Sequence, residues 1–284
     1  MMFRQRRFGF ILGPALAAAM GTAATPQPGF GQGVQLASHR AIYDLKLAQS
    51  RGNRSLSTVR GRIVYDFSGN ACEGYALNFR QVTELDNGEG KVAVSDLRST
   101  TWEEGGGKTY RFYFQNFISQ RLVDSVDGRA ERGTDAIAVR LAKPEDKRFD
   151  LDAKVVFPTE HMRRILEAAR AGKTVLDVQV YDGSENGEKL YNTLTVIGRV
   201  IAPDERKPND VAADRAELAA LKRWPVTISY FDRSKHQGEQ MPVYAISFEV
   251  YDNGIARALV LDYGDFTVSG TMSTLEIKDA PKCK

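Results

Sequence analysis

From residue 39 onward the chain alternates apolar and polar residues in short runs, each ended by a turn signal. Ala41-Ile42-Tyr43-Asp44-Leu45-Lys46-Leu47 leads to Gly52-Asn53, 60–67 to Gly69-Asn70, and 75–83 to Asp86-Asn87-Gly88; 92–101 precedes a reversal over 103–107. Period-two patterning between Gly-, Asn- and Asp-rich breaks predicts antiparallel strands, because successive strand side chains point to opposite faces. Tyr110 to Phe114 and a turn at Asp127-Gly128 continue the meander. In the second half, 175–181 and 190–200 flank the loop from Asp182 to Gly187. Over 243–251, Tyr244, Ile246, Phe248 and Val250 face one way against Ala245, Ser247 and Glu249. Asn253-Gly254 predicts a type I′ hairpin turn, which needs φ > 0 at both central positions. Strands over 256–261 and 266–277 follow, with weaker runs at 119–125, 135–141, 149–157 and 226–231. The total is about 14 strands, too many to lie flat, so the sheet must curl.

Two segments change period. Pro158-Thr159 opens a helix from Glu160 to about Arg170, closed by Gly172, in which Met162, Ile165, Leu166 and Ala169 share one face. Such a stripe has to be buried, and the concave side of the curled sheet is the place for it. A second helix is expected from about Val211 to Lys222, with Leu218, Leu221 and Trp224 as its stripe and Pro225 as its stop. The predicted fold class is therefore mostly β: a long antiparallel meander, an incompletely closed barrel, with two short helices packed against or inside it. The polar linker over 202–210 could divide two domains, but a hairpin unit of about 60 residues alone would struggle to build a core. One domain over 35–284 is expected.

The beginning of the chain breaks this pattern. Arg4, Arg6 and Arg7 precede an apolar run from Phe8 to Met20, and Thr22-Ala23-Ala24 supplies the small residues of a cleavage site. The run, about 13 residues, is short of the roughly 20 needed to span a bilayer, so 1–24 reads as a signal peptide and 25–34 as a flexible lead-in. Arg6-Arg7 leaves both the general and the twin-arginine export routes open. Export places the mature protein in the periplasm. Removing three arginines and no acid from 39 basic and 36 acidic residues leaves 36 of each. That balance argues against nucleic acid as a partner, and no later stretch resembles a membrane span, so an integral membrane protein is not expected.

Cys72 and Cys283, 211 positions apart, suit an oxidising compartment. A disulfide between them would tie an early turn to the C-terminus; unpaired thiols and redox exchange are the alternatives. Two thiolates alone do not make a zinc site. His39, His161 and His236 form no metal motif. His39 reads as hydrogen-bonded at a strand end, His161 as an exposed or packed helix residue, and His236 as part of a polar surface loop. Gly183-Ser184-Glu185-Asn186-Gly187 has the wrong spacing for a nucleophile elbow, and no phosphate-binding glycine loop occurs. No catalytic, cofactor-binding or metal residue is expected, and the protein is not expected to be an enzyme. The densest feature is aromatic: Tyr110, Phe112, Tyr113, Phe114 and Phe117 make both faces of one strand apolar. Either helices cover the second face or it is a candidate cavity wall or docking surface.

His39-Arg40-Ala41-x-Tyr43-x-Leu45, Cys72-Glu73-Gly74-Tyr75, Arg223-Trp224-Pro225-Val226 before Ser229-Tyr230-Phe231, and the terminal Cys283 together resemble the EipB family of alphaproteobacterial envelope-integrity proteins. The resemblance spans about 34–284. It implies a periplasmic β-spiral, a long antiparallel sheet wound into an oblong shell resembling periplasmic lipoprotein carriers, with Cys72 and Cys283 joined in an internal disulfide. It implies a role in keeping the cell envelope intact under stress, through interaction with a periplasmic tetratricopeptide-repeat protein, and no catalytic residues. The alternative role is that of a carrier or sensor for a lipid or lipidated protein.

Overall fold

The computed structural model describes residues 34–51, 56–203, 205, 209–233, 241–279, 281 and 283. The expected signal peptide, the lead-in before Val34, the Gly52-Asn53 turn and His236 lie outside them. Eight strands come first: β1 (His39–Ser50), β2 (Thr58–Asn70), β3 (Gly74–Asp86), β4 (Val92–Glu103), β5 (Thr109–Ile118), β6 (Arg121–Arg132), β7 (Ala136–Lys143) and β8 (Lys147–Asp152). Helix α1 (Pro158–Arg170) follows, then β9 (Val175–Val180) and β10 (Tyr191–Ile197). After one turn of helix, α2 (Ala216–Ala219), come β11 (Arg223–Asp232), β12 (Tyr244–Tyr251), β13 (Ala256–Asp262) and β14 (Phe266–Ile277).

All fourteen form one antiparallel sheet, ordered β8-β7-β6-β5-β4-β3-β2-β1-β14-β13-β12-β11-β10-β9. The pairing of β1 with β14, His39 opposite Ile277 through Ser50 opposite Phe266, joins the two halves of the chain in mid-sheet. The edges are β8 and β9. The segment after β8 meets β9 at a parallel bridge, in which Val156 N–H donates to Gln179 O at 2.8 Å and Tyr181 N–H to Val156 O at 3.0 Å. The sheet is thus a spiral that stops short of a closed barrel.

Helix α1 forms where its stripe predicted, burying Ile165, Leu166, Ala168 and Ala169. Its N-cap, Phe157, supplies no side-chain cap. The cap comes instead from β4, where buried Glu103 accepts the backbone N–H groups of Thr159 at 2.7 Å and Glu160 at 2.8 Å. A carboxylate there satisfies donors that helix geometry leaves free and meets the positive end of the helix dipole.

Three local expectations are corrected. Asp127-Gly128 is not a turn: both lie inside β6, and the reversal is at Ser119-Gln120, both with positive φ. Gly128 is small because a Cβ there would stand 2.4 Å from the Phe112 ring. At Asn253-Gly254 only Gly254 has positive φ, and Gly254 N–H donates to Tyr251 O while Tyr251 N–H donates to Ile255 O. That is a three-residue loop with a left-handed glycine rather than a type I′ turn. The second helix is shorter than 211–222: a 3₁₀ turn at Val211–Ala213, an extended Arg215, then α2 alone. Arg215 is the extended N-cap of α2, and its guanidinium bonds Leu275 O on β14. Trp224 and Pro225 belong to β11.

The 209–222 segment lies over charged residues of the sheet. Glu249 alternates with the inward Phe248 and Val250, so it faces away from the interior. There it bonds Arg223 at 2.9 Å and Arg257, and Arg257 reaches Asp210 at 3.3 Å. All four are buried. Apolar residues form two cores. The larger joins β1, β2 and β11–β14 with α1 and the buried Val34 and Leu36 that precede β1. The smaller is built from Tyr110, Phe112, Val126, Ile137, Val139, Leu141, Phe157 and Tyr181.

Candidate binding cavity beneath the first helix

The side of α1 that carries Met162 and Ile165 does not pack solidly on the sheet. A cavity of about 260 Å³ lies there, bordered by Leu36, Phe67, Leu77, Ile228 and Tyr230, with Thr101, Thr159, His161 and Asp182 at one end. A second lobe of about 200 Å³ continues between Tyr43, Ile63, Phe79, Tyr244, Leu259 and Leu261. The two share His39, Tyr65, Met162, Ile246, Phe248 and Gly254. The walls follow from strand period: residues 39, 43, 63, 65, 67, 246 and 248 are the inward positions of β1, β2 and β12.

Most polar groups in this interior are neutral or already bonded. The His39 ring nitrogen Nδ1 pairs with Ala37 O at 2.8 Å, and the ring stacks on Tyr65 at 5.4 Å. Burial lowers its pKa, although Ala37 O and Asp66 pull the other way. Tyr43 donates its hydroxyl to Ala256 O at 2.7 Å, and burial raises the hydroxyl pKa values of Tyr43, Tyr65, Tyr230 and Tyr244. His161 is only 3% exposed, and its Nε2 has no hydrogen-bond partner. Burial, with the neighbouring Arg164 charge, lowers its pKa to about 4. Asp182 Oδ1 accepts Ser184 N–H at 2.9 Å, and burial raises its pKa. The same cause pushes the Glu103 carboxyl up to about 7 against the pull of the helix N–H groups.

The aromatic strand lies elsewhere. Tyr110 and Phe112 are buried in the smaller core, stacked on each other at 5.3 Å, with Phe157 against Tyr110 and the edge of Tyr181 against Phe112. Tyr110 donates to Asp182 O at 2.8 Å. Phe114 lies between Leu97 and Val126 at a surface depression. Tyr113 and Phe117 are half-buried on the opposite face, which neither helix covers. Lys143 stands over the Tyr113 ring at 5.8 Å and Arg98 over Phe117 at 4.7 Å. Long basic side chains do the covering, their stems along the ring and their charges in water.

Cys72, in the turn between β2 and β3, is disulfide-bonded to Cys283, with the Cα atoms 5.7 Å apart. The same turn holds the tail a second way. Asn70 Oδ1 accepts the N–H groups of Cys72 and Glu73, and its amide donates to Pro281 O at 2.8 Å.

Among the described residues no three His, Cys, Asp or Glu side chains gather as a metal site requires, and no helix is long and apolar enough to cross a membrane. A family model for EipB-like proteins matches residues 31–279. The chain belongs to the EipB-like family. The cell envelope integrity protein EipB of Brucella abortus (strain 2308) is 39% identical over 251 residues, covering 88% of each chain. The crystal structure of a β-barrel-like protein of a domain-of-unknown-function family from Brucella abortus superposes with a TM-score of 0.79 at 38% identity, over 87% of this chain and all of that one. EipB-like membership makes this a non-enzymatic, periplasmic, disulfide-bonded β-spiral protein of cell-envelope integrity.

The sequence pointed to the stripe of α1 and the inward face of β12, both of which border the cavity. It gave no sign that Asp182 and Tyr65 meet at that cavity, since one lies in the loop after β9 and the other on β2.

Proposed function

We propose that this protein supports the envelope by docking another protein, a periplasmic tetratricopeptide-repeat protein, rather than by chemistry on a substrate. In this reading residues 1–24 are a signal peptide removed on export, 25–34 a flexible lead-in, and 35–284 a single β-spiral domain. One observation supports docking above the rest. Backbone register sets Val175, Val196, Thr227, Ser247 and Val260 in one uncharged row across the outer faces of β9 to β13. Val175 is 53% exposed, Val196 49%, Leu194 in the adjoining row 40%, and Val260 38%. Asp177 and Asp262 stand at the two ends of that adjoining row. Asp262 is already paired with Arg51 at 3.2 Å, so what the strip offers is its exposed valines and leucine, which beside the β9 edge suit an apolar groove. The half-buried rings of Tyr113 and Phe117 are the competing surface.

The test is copurification from the periplasm with the disulfide intact. Val196→Glu with Leu194→Glu should release the repeat protein while leaving the melting temperature nearly unchanged, as exposed positions allow. Release by Tyr113→Ala with Phe117→Ala instead would move the surface to β5. Retention by both pairs would end the docking reading for these faces. Intact mass of the exported protein tests the cleavage after residue 24.

A second reading, a carrier for a lipid or lipidated protein, is favoured by the two-lobed cavity beneath α1. Its walls are mainly apolar, with Thr101, Thr159, His161 and Asp182 in the first lobe and Gln81 in the second.

A further inference from the structure

We infer that a row of arginines on the outer face of β5 to β8 docks the protein on a bilayer surface rich in anionic phosphate headgroups. This surface is separate from the β9–β13 strip, and the inference goes beyond the docking of a protein partner.

Register builds the row. Arg111 of β5 stands opposite Arg129 of β6, Arg129 opposite Arg140 of β7, and Arg140 opposite Arg148 of β8. All four are exposed, and their chain neighbours Phe112, Ala130, Val139 and Phe149 point into the smaller core, so the arginines share the outer face. Like charges directly opposite one another destabilise a sheet. Three such pairs in succession oppose folding, and the chain does not neutralise them. Among the described residues only Arg129 of the four has an acidic partner, Glu131. In the neighbouring rows Asp127 stands opposite Lys143 and Asp150 opposite Ala138. Counting Lys143 and Glu131, five basic side chains meet three acidic ones, and the face keeps a positive excess.

Dimensions favour a surface over a single phosphate. Strands about 4.8 Å apart spread four guanidinium groups over roughly 14 Å, more than one phosphate spans. Each guanidinium can pair with phosphate oxygens through two parallel N–H donors, so the row suits several headgroups side by side. A bilayer offers phosphates in any register, whereas an acidic protein would have to place its carboxylates in a matching row. The aromatic neighbours fit the same depth. Trp102 of β4 ends the row opposite Arg111, whose guanidinium lies over its ring at 5.3 Å, and Tyr113 lies in the next row beneath Lys143. Trp102, Tyr113, Asp127, Arg111, Arg129 and Arg140 border one open depression of about 490 Å³. Indole and phenol rings, apolar with one polar atom, are at home at headgroup level. Further along this face exposed Leu122 stands opposite Phe117 and adds aliphatic surface.

The test is cosedimentation of oxidised mature protein with vesicles of phosphatidylglycerol and phosphatidylcholine at low salt, against vesicles of phosphatidylcholine alone. The expected result is binding to the anionic vesicles only, weakening as salt is raised. Arg140→Gln with Arg148→Gln should weaken binding about 25-fold, from roughly fivefold for each charge at the surface, without lowering the melting temperature. Arg111→Gln, on an interior strand of the sheet, should cost about fivefold by itself. Lys46→Gln with Arg60→Gln, which removes the same charge from exposed positions of β1 and β2, should bind as wild type. Glycerol phosphate, the soluble form of the headgroup, should displace no more protein than sodium chloride of equal ionic strength. Equal binding to both vesicles, equal loss in the two paired variants, or displacement by glycerol phosphate beyond that of salt would each overturn the inference. Absence of vesicle binding at low salt would overturn it as well, and release of a copurifying protein by Arg140→Gln with Arg148→Gln would then give the row to an acidic protein.

Discussion

The two cores of this protein use the same materials differently. Around Phe112 the interior is filled to the limit: a Cβ on Gly128 or Gly183 would come within 2.5 Å of that ring, and Tyr110, Phe157 and Tyr181 close its other sides. Around Met162 the walls are just as apolar, yet two lobes stay open. The difference lies in what bridges the sheet. In the smaller core, Phe157 before α1 and Tyr181 after β9 bring their rings onto Tyr110 and Phe112 of β5. In the larger, Met162 and Ile165 of α1 border a space that Tyr65, Phe67 and Leu77 line from β2 and β3 and Ile228 and Phe248 from β11 and β12. Tyr110 and Phe112 thus fill the smaller core, while the open space lies against Met162 and Ile165 of α1.

Truncation should expose this contrast most strongly. Phe112→Ala should cost about 4 kcal/mol in denaturant unfolding, because the surrounding glycines and rings cannot collapse into the gap. Ile246→Ala should cost clearly less, since part of its environment is already empty; equal costs would mean the lobes are not open in solution.

Next come two titrating groups. Glu103 stands at the seam, on β4 beside Tyr110, capping α1. Its folded pKa of about 7 exceeds the unfolded value near 4.5, so its stabilising contribution is full below about pH 4.5 and is lost as pH rises through 7. Relative to wild type, Glu103→Gln should gain about 3 kcal/mol between pH 4 and pH 8. His161, in the open region, has the opposite sign. Its folded pKa of about 4 lies below the unfolded 6.5, so stability is present above 6.5 and lost as pH falls toward 4. His161→Leu should flatten that acid limb by about 3 kcal/mol. Urea melts across the pH range read both variants, and parallel curves for wild type and variant would show that the group is not buried as described.

The disulfide ranks with these or slightly below. Cys72→Ser should cost oxidised protein about 3 kcal/mol and leave reduced protein nearly unchanged. Equal loss in both states would show that the thiols act through packing. Because Asn70 also holds the tail through Pro281, Asn70→Ala should add a smaller loss of about 1 kcal/mol, the least of the set.

Much of the fold was legible because alternation is local. A strand declares its inward face within a few residues, as β12 does at Tyr244, Ile246, Phe248 and Val250, and α1 declares its stripe through Met162, Ile165, Leu166 and Ala169. The failures share a cause. Gly128 looked like a turn and proved to be room for Phe112, and the helix expected over 211–222 is interrupted at Arg215, whose guanidinium bonds Leu275, 60 residues away. A single sequence window cannot show a partner that far along the chain.

The sequence by itself determined the export-type beginning as an expectation, the antiparallel strand pattern, the amphipathic face of α1, the absence of familiar catalytic motifs and, through its likeness to EipB proteins, the family. These depend on periodicity and on short residue patterns. Only the tertiary structure decided that β1 would pair with β14, that Glu103 would cap a helix 55 positions further on, and that the interior beside His161 would remain partly empty. Each depends on how far apart two curved walls come to rest, and that distance is set by the winding of the whole sheet rather than by any one stretch of it.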